Sequence, residues 1–469
     1  MSTKVLLSLG VMWGICLSVV PLPSWSVSHA QAKIIPNDAR NESSIPIEGE
    51  HLNEYPNGYL TPERALDLAL QHNPRLETFA SGVEERTHLL RQAGRLTNPE
   101  LELELEDFGG SGEFRGGGNA EVSVRVRQRI ELGGKRQRRV EVARTEVELE
   151  KTQQRAYAIE LHALVRTRVV ELAAAQQQLE LAQAQAELSR TLLDMVRERI
   201  DAGKAADIEQ IAFEMQLSEA KLKTGQAQTE VTRAQHALAA LWGESAPQFN
   251  AVALKLEQLP AQEEIEALYA TLSHTPASAL ARTRTQRAAH ELRLERARSI
   301  PDLNLSVGVK EERGSGDHAM IGGISLEIPL FERNQDGIAA ARARQHRADA
   351  ALRASMIEQR KQLQDGWYAL TSARETAHTL RTEILPAAQE HFDAVTYAYR
   401  AGKYTYAQVL DAQQNLFELR LRHIDALGDV HRKHIELERI CARLDPHSPA
   451  PSPEMTPELA SVLDAGDKR

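Results

Sequence analysis

Two histidines are the first candidates for chemistry in this chain. His431 and His434 lie three positions apart in a stretch predicted to be helical, so both imidazoles would share one face. Imidazole nitrogens are common metal ligands, which makes the pair a candidate metal site. The chain has 16 histidines, however, and chance pairs are frequent at that number. We interpret His431 and His434 as a chance pair, and we predict no metal site and no cofactor.

Motifs of enzymes and of nucleic-acid binding proteins give no better candidate. The glycine-rich stretch GGSGEFRGGG precedes a predicted strand instead of opening a helix, which disfavours phosphate binding. The chain has neither a nucleophile elbow nor a zinc-protease signature. Its formal net charge is −10, and its Lys and Arg are interleaved with Glu. The prediction is a protein that is not an enzyme and binds no nucleic acid.

Charged residues alternate with aliphatic residues in four stretches. In the first, leucines at 101, 103 and 105 alternate with glutamates, and similar alternation follows at 122–127, 303–310 and 324–328. Each stretch predicts a strand of about ten residues, the length that a tilted strand needs to cross a bilayer. A water-soluble sheet that packs its aliphatic face on helices is the alternative. The charged face would carry Glu102, Glu104, Glu106, Arg125, Arg127, Lys310 and Glu327.

Four strands have two open edges, which lipid does not tolerate. Closure into a barrel needs at least eight strands, so several chains must contribute, and three copies would supply twelve. The charged face would then line a hydrated lumen, and the aliphatic face would contact membrane lipid.

The alternating stretches belong to an internal duplication. Ala202-Gly203-Lys204 aligns with Ala401-Gly402-Lys403 at an offset of 199 residues. We predict a first repeat over 61–250 with a β-hairpin at 99–131, a linker over 251–261, and a second repeat over 262–445 with a β-hairpin at 301–330.

The two ends of the chain lie outside these repeats. A basic residue, an apolar run and small residues predict a signal peptide over 1–32, cleaved after Ala32. Lipid attachment at Cys16 is the alternative, although Ile15 stands where a small residue is expected. Residues 33–60 are predicted to be extended, and the Pro-rich tail 446–469 disordered; both are expected outside the packed core.

Long helices must position the predicted strands. The stretch from Gly134 to Asp201 has no proline and, after its start, no glycine, so it predicts a helix about 100 Å long. The second half should contain a second long helix, from about Gly337 to Arg400, with a kink at Pro386. Along the first, two rows that repeat every seven residues predict a coiled-coil seam: Val165, Leu172, Leu179, Ala186, Leu193 and Ile200, with Ala175, Ala182, Ser189 and Val196. A filament or tether would explain the seam equally well, but it would not explain the strands.

Several short motifs resemble one family in their order and spacing. TPERALDLALQHNPRL, NPEL, IELGGKR, IPLFERNQ, ILPAA and AGKYTYAQVLDAQQNL are similar to motifs of TolC-type outer-membrane efflux proteins, and IELGGKR and IPLFERNQDG most resemble the CzcC-type components of heavy-metal efflux pumps. The resemblance implies a mainly α fold with a transmembrane β-barrel portion. Coiled-coil helical hairpins would form a periplasmic α-barrel, and a homotrimer would close a 12-stranded barrel in the outer membrane.

The function that this resemblance implies is an exit duct. The trimer would conduct substrate, heavy-metal cations in the CzcC-type systems, from a periplasmic adaptor and an inner-membrane RND pump to the exterior. A duct for drug efflux or type I protein secretion is an alternative within the family. A periplasmic coiled-coil tether is the alternative outside it.

The resemblance also assigns two sets of residues at the far end of the helices. The turns Ala202-Gly203-Lys204 and Ala401-Gly402-Lys403 would dock on the adaptor. Asp411 and Gln408 align with positions that line the periplasmic constriction, where relatives often carry acidic rings. Because Gln408 is not acidic, Asp411 would form the remaining ring, which would repel anions and attract cations. Glu209, the equivalent of Gln408 in the first repeat, is a second candidate for holding the turns closed.

Overall fold

The computed structural model describes residues 58–444. The predicted signal peptide, Cys16, residues 33–57 of the extended segment and the tail 446–469 lie outside this range. The helices and strands of the described range are β1 (Tyr59–Leu60), α1 (Pro62–His72), α2 (Pro74–Ala93), β2 (Glu100–Glu106), β3 (Glu121–Ile130), α3 (Lys135–Asp201), α4 (Asp207–Ala239), β4 (Ala251–Val252), α5 (Ile265–Thr271), α6 (Pro276–Arg298), β5 (Leu303–Glu312), β6 (Asp317–Leu326), α7 (Gln335–Thr379), α8 (Leu385–Arg400) and α9 (Tyr406–Ile440).

Both halves of the chain contribute to one sheet. The strand order is β2-β3-β5-β6, and every neighbouring pair is antiparallel. Leu103 lies opposite Val124, Val124 opposite Val309, and Val309 opposite Met320, so aliphatic side chains form continuous rows across all four strands. The alternation of residue types therefore sets one register for both hairpins.

The aliphatic face of this sheet is uncovered. Leu101 and Leu103 are 76% and 73% exposed, and Val307 and Ile324 are also exposed. No helix between residues 58 and 444 buries these side chains, so the alternative of a water-soluble sheet whose aliphatic face is packed on these helices is wrong. Strand bounds also differ in detail from expectation: β2 has seven residues, and β6 ends at Leu326. Glu327 therefore lies beyond the strand in which we predicted it, two residues before Pro329, which cannot donate to a strand ladder.

The longest helix, α3, has 67 residues and begins at a glycine N-cap, Gly134. Its length is about 100 Å. The predicted seam is confirmed: Val165, Leu172 and Leu193 of the first row are buried, as are all four members of the second row. The other three first-row residues are partly buried. Small residues in the second row let the partner helices approach closely.

The second long helix is irregular where proline predicted a kink. A π-helical turn, Leu380–Ile384, joins α7 to α8, and Pro386 follows directly in the first turn of α8. Proline lacks the N–H for an i→i−4 hydrogen bond, and its ring needs room. The wider π turn supplies that room.

Among the helices between residues 58 and 444, none is both long enough and apolar enough to cross a membrane.

The end of the predicted extended segment 33–60 pairs with the segment after α4 in the packed core. The expectation that all of 33–60 lies outside the core is therefore wrong. Tyr59–Leu60 pairs in parallel with Ala251–Val252, and Leu60, Val252 and Leu256 are buried in the cluster that also contains Leu172 and Leu370. The end of the segment 33–60 is therefore inside the packed core. The cluster fixes the middle of the long helices.

One glycine of the sheet should be irreplaceable. A Cβ added at Gly308 would collide with the carbonyl oxygen of Val124 and lie 2.8 Å from the side chain of Arg125, whereas at Gly322 the nearest atom would be 3.9 Å away. We expect Gly308→Ala to destabilise the protein by about 1–3 kcal/mol, as overpacking does. Gly322→Ala should be close to neutral. Thermal unfolding of the detergent-solubilised variants measures both effects, and equal melting temperatures would contradict the prediction.

Candidate functional site

The two helix reversals have the same backbone geometry. Gly203 and Gly402 have positive φ angles of 67° and 73°, a conformation that favours glycine. In the first turn, Gly203 N–H donates to the Ile200 carbonyl and Lys204 N–H to the Arg199 carbonyl, both at 2.8 Å. The second turn has the equivalent bonds at 2.9 Å, from Gly402 and Lys403. These bonds satisfy the last helical carbonyls and leave residues 202–204 and 401–403 exposed at one tip of the molecule.

Arg199 joins the two turns. Its guanidinium donates to the carbonyl oxygens of Tyr399 and Arg400, both at 2.9 Å, and to the carbonyl of Lys204 at 3.3 Å. It also lies 4.6 Å from the centre of the Tyr399 ring. Arg199 belongs to α3, in the other hairpin, but its guanidinium lies at the C-terminus of α8. A cation is favourable at a helix C-terminus. The first repeat thus holds the second at the tip.

Glu209 makes a second contact between the hairpins. The Tyr399 hydroxyl donates a 2.7 Å hydrogen bond to Glu209 Oε2. Tyr399 is buried, and burial, followed by the hydrogen bond to Glu209, raises the pKa of its phenol. The hydroxyl therefore keeps its proton and remains the donor, and the Glu209 carboxylate is the acceptor.

Gln408 has a local role. Its Oε1 accepts hydrogen bonds from the Thr405 backbone N–H at 2.9 Å and from the Thr405 hydroxyl at 3.1 Å. This is a capping box at the start of α9. The structure therefore uses the Gln408 carboxamide to begin the helix.

Asp411 is one turn further along α9 and is exposed. Within residues 58–444, its carboxylate forms neither a hydrogen bond nor an ion pair. Neighbouring Val409 and Ala412 are buried in the tip cluster, which also contains Leu193, Val196, Phe213 and Val395. The apolar face of α9 thus fixes the helix and directs Asp411 away from the core.

Arg199 and Tyr399 were not among the site residues predicted from the sequence. Arg199 carries a weak signal, since it stands in the last turn of a predicted helix, where a cation is favourable. Tyr399 carries another, because it is one of only nine tyrosines and lies three residues before a turn glycine. Nothing local indicates that these two residues, 200 positions apart, are in contact.

Ion pairs cover the polar face of the sheet. Arg127 pairs with Glu102 at 2.8 Å, Arg125 with Glu104 at 2.7 Å, and Lys310 with Glu121 at 2.9 Å. Glu121 was not among the predicted residues of this face. Glu106 and Glu327 form no hydrogen bond or ion pair within the described range. The cross-strand pairs keep the face hydrophilic and give Glu102, Glu104 and Glu121 a counter-charge each.

The two histidines have separate contacts. His431 is buried, and its Nε2–H donates a 3.0 Å hydrogen bond to the Leu256 carbonyl. Burial lowers the pKa of His431, so the ring stays neutral. His434 Nε2 lies 3.5 Å from Glu438. Within residues 58–444, His, Cys, Asp and Glu form no group of three or more that could hold a metal ion.

Comparison with known proteins identifies the fold. The chain superimposes on CusC, whose crystal structures describe folding and transmembrane channel formation, with a TM-score of 0.68 at 20% identity; the match covers 81% of this chain and 91% of CusC. At this identity the likeness shows the fold alone. The long helical hairpins with a four-stranded sheet therefore share the fold of CusC, and the predicted mainly α fold with a strand portion is confirmed.

Sequence relatives agree with the fold. The chain is 30% identical over 386 residues to the cobalt-zinc-cadmium resistance protein CzcC of Cupriavidus metallidurans, covering 82% of this chain and 91% of CzcC. It is 26% identical to the nickel-cobalt-cadmium resistance protein NccC of Alcaligenes xylosoxydans xylosoxydans, over 62% of this chain and 66% of NccC. The profile described as outer membrane efflux protein matches residues 65–244 and 267–443. Since that profile covers most of the chain, the protein belongs to the outer membrane efflux protein family.

Proposed function

We propose that this protein is the outer-membrane exit duct of a tripartite pump that exports heavy-metal cations. The main support for the duct function is the four-stranded sheet. Its aliphatic face is exposed, and its opposite face bears ion pairs. Such a sheet fits lipid on one side and water on the other. The 30% identity to a cobalt-zinc-cadmium resistance protein, over 82% of this chain, supports metal cations as the cargo.

The proposed assembly is a homotrimer. Within residues 58–444, β2 and β6 each have one strand neighbour, so each presents an unpaired edge. Lipid requires every backbone N–H and C=O to be paired. Three copies would pair the β6 edge of one chain with the β2 edge of the next and close twelve strands. The ion-paired face, with Glu102, Glu104, Glu106, Arg125, Arg127 and Lys310, would then line the lumen, and Glu327 would lie at its periplasmic rim.

The tip is the proposed contact for a periplasmic adaptor, which would link the duct to an inner-membrane RND pump. Residues 202–204 and 401–403 are exposed, adjacent and similar in backbone. Two equivalent turns in each of three copies would give an adaptor ring six similar docking positions.

The gate is proposed to lie just above these turns. Three Asp411 carboxylates would form the ring at the constriction, because Asp411 is exposed and has no partner within the described residues. Arg199 and the Tyr399–Glu209 hydrogen bond would hold the two hairpins of each chain in the closed arrangement. Gln408 would contribute by starting α9 in the right place.

Membrane insertion and cargo can be tested together. In a Gram-negative host that lacks its own metal-efflux duct but keeps the adaptor and pump, the wild type should restore cobalt, zinc and cadmium tolerance as a trimer in the outer-membrane fraction. Leu103→Arg should fail, since an arginine facing lipid near the midplane costs about 2–4 kcal/mol.

The matched control for this change is Glu106→Arg, on the opposite face of the same strand, which should retain insertion and tolerance. A monodisperse soluble wild-type monomer would refute the duct. Recovery of drug tolerance without metal tolerance would contradict the proposal that the cargo is heavy-metal cations.

Adaptor docking is tested at the two turn glycines. Combined Gly203→Val and Gly402→Val changes should strain both reversals, because a β-branched residue disfavours positive φ. Trimer formation should persist, while cross-linking to the adaptor and metal tolerance fall. Gly225→Val in α4, where a Cβ would meet no atom within 4 Å, is the control. Unchanged efflux in the double variant would show that the turns are not the contact surface.

The gate is tested by electrical recording in planar bilayers. The wild-type trimer should show a low, cation-selective conductance that divalent cations block. Asp411→Ala should remove selectivity and block together, because the carboxylate ring is lost. Asp429→Ala removes an equal charge near the other end of α9 and should change neither property. Survival of both properties in Asp411→Ala would exclude this residue from the gate.

A further inference from the structure

An uncovered apolar stripe lies on α4 close to the tip. Ile208, Ile211 and Met215 recur at intervals of three and four residues, so they share one face of the helix. They are 60%, 53% and 69% exposed, whereas Phe213 and Gln216, on the other side of the helix, are buried. A row of large apolar side chains that is exposed in this way indicates a surface that another element covers.

A second uncovered face lies on α8. Ala387, Ala394 and Tyr397 are exposed and share one side of the helix, while Phe392 on the opposite side belongs to the tip cluster. Glu390 is the charged residue of this face, and its flexible side chain can extend to water. The alanines leave room for large side chains of a neighbouring helix, as in knobs-into-holes packing. The α4 stripe supplies side chains of that size.

The order of the helices explains why these two faces are uncovered. The main partner of α4 is α3, α3 also packs on α9, and α9 packs on α8. The four helices therefore form a row in which α4 and α8 are the outer members. The sheet repeats this order, since β2 of the first repeat and β6 of the second are its outer strands. In a closed ring each element needs a neighbour on both sides, so the same two sides of the chain await a partner in both layers.

The duplication gives an independent argument for what that partner is. The offset of 199 residues places Leu410 and Gln414 of α9 at the positions of Ile211 and Met215 of α4. Leu410 packs against the tip cluster, and Gln414 Nε2 donates to Gln216 Oε1 of the first repeat at 3.2 Å. This face of α9 thus meets the other repeat. In a ring of alternating repeats, the same face of α4 would meet the second repeat of an adjacent copy.

The two faces also lie at the same height above the tip. Ile208 and Tyr397 are each five residues from the glycine of their own turn, and Ile211 and Ala394 are each eight residues from it. These separations correspond to roughly 7 and 12 Å along the helix axes. Side chains of the two faces would therefore meet in pairs if the tips of neighbouring copies were level, as a rotation axis along the tube requires.

We propose that the α4 stripe of one copy packs against the α8 face of the next copy and forms the joint between copies at the tip end of the helical tube. This inference rests on the proposed duct function, because it assumes the homotrimer. Ile211 of one copy would lie against Ala394 of the other, and Ile208 beside the ring of Tyr397. The joint would bury apolar side chains of both copies.

Disulfide cross-linking tests this joint directly. Two double variants, Ile211→Cys with Ala394→Cys and Ile208→Cys with Tyr397→Cys, place cysteines at the paired positions. Mild oxidation of the detergent-solubilised trimers should give covalent dimers and trimers on non-reducing gels, and a reductant should remove them. Each single-cysteine variant should stay at the mass of one chain, because its cysteine has no counterpart in the adjacent copy.

The matched control is a cysteine pair within one chain. Gln413 Nε2 lies 2.9 Å from Ser189 Oγ, so Ser189→Cys with Gln413→Cys places both thiols in the same protomer. This pair should give no covalent dimer or trimer. The native Cys441 is buried and unchanged in every variant, so it contributes equally to all of them.

A charge substitution tests whether the joint stabilises the trimer. Ile211→Glu should raise the trimer dissociation constant at least about tenfold, because its carboxylate would be buried in an apolar contact. Gln228→Glu adds the same charge on another exposed face of α4 and should not change this constant. Analytical ultracentrifugation in detergent measures both values.

The outcomes separate this joint from the proposed duct. A wild-type trimer in which neither cysteine pair links the copies, or in which Ile211→Glu dissociates like the wild type, would overturn the joint alone. Loss of adaptor cross-linking in Ile211→Glu with unchanged trimer stability would assign the stripe to the adaptor and also overturn it. A soluble wild-type monomer would contradict the proposed duct itself.

Discussion

The aliphatic face of the four-stranded sheet is the constraint on which the rest of the structure depends. Its leucines and valines are exposed, Leu101 and Leu103 to 76% and 73%, and no part of residues 58–444 covers them. In water, this apolar surface would have to be covered by a second layer of secondary structure. The helices do not supply that layer, because they extend away from the sheet. A lipid environment removes this cost, but it creates another, because each unpaired backbone group at a sheet edge is expensive there. In the proposed trimer, the edges of neighbouring copies satisfy each other, so oligomerisation follows from the same surface that requires lipid.

The helices meet the opposite demand, since they must remain hydrated over a length of about 100 Å. No globular core spans that distance. The chain instead uses a narrow seam of small and aliphatic residues and one broader cluster at mid-height, closed by β1, β4 and Leu256. Contacts at the tip are of a different kind. Arg199 and Glu209 act through a few partly exposed hydrogen bonds, each worth about 0.5–1.5 kcal/mol, so the tip can change arrangement without disturbing the mid-height cluster.

Local patterns in the sequence predicted the parts of the fold that depend on local physics. Alternation predicted the strands because side chains in a strand point to opposite faces, and the seven-residue rows predicted the seam because the helix repeats nearly every seven residues. Contacts between the repeats could not be predicted in this way. Arg199 and Tyr399 are 200 positions apart, and the burial of Leu60 depends on a strand that begins at Ala251. Strand ends also depend on tertiary context, which is why Glu327 falls outside β6.

The duplication gives the two turns equivalent positions, and the N-cap residue of the helix that follows each turn makes them differ. Glu209 and Gln408 are both the third residue of a helix that follows an Ala-Gly-Lys turn. In α9 the N-cap is Thr405, whose hydroxyl and backbone N–H engage Gln408 in a capping box. In α4 the N-cap is Ala206, which has no side-chain oxygen, so no such box forms. The Glu209 carboxylate is therefore free to accept the Tyr399 hydroxyl from the other hairpin. The absence of a side-chain cap at Ala206 thus leaves Glu209 as the acceptor for a contact between the repeats.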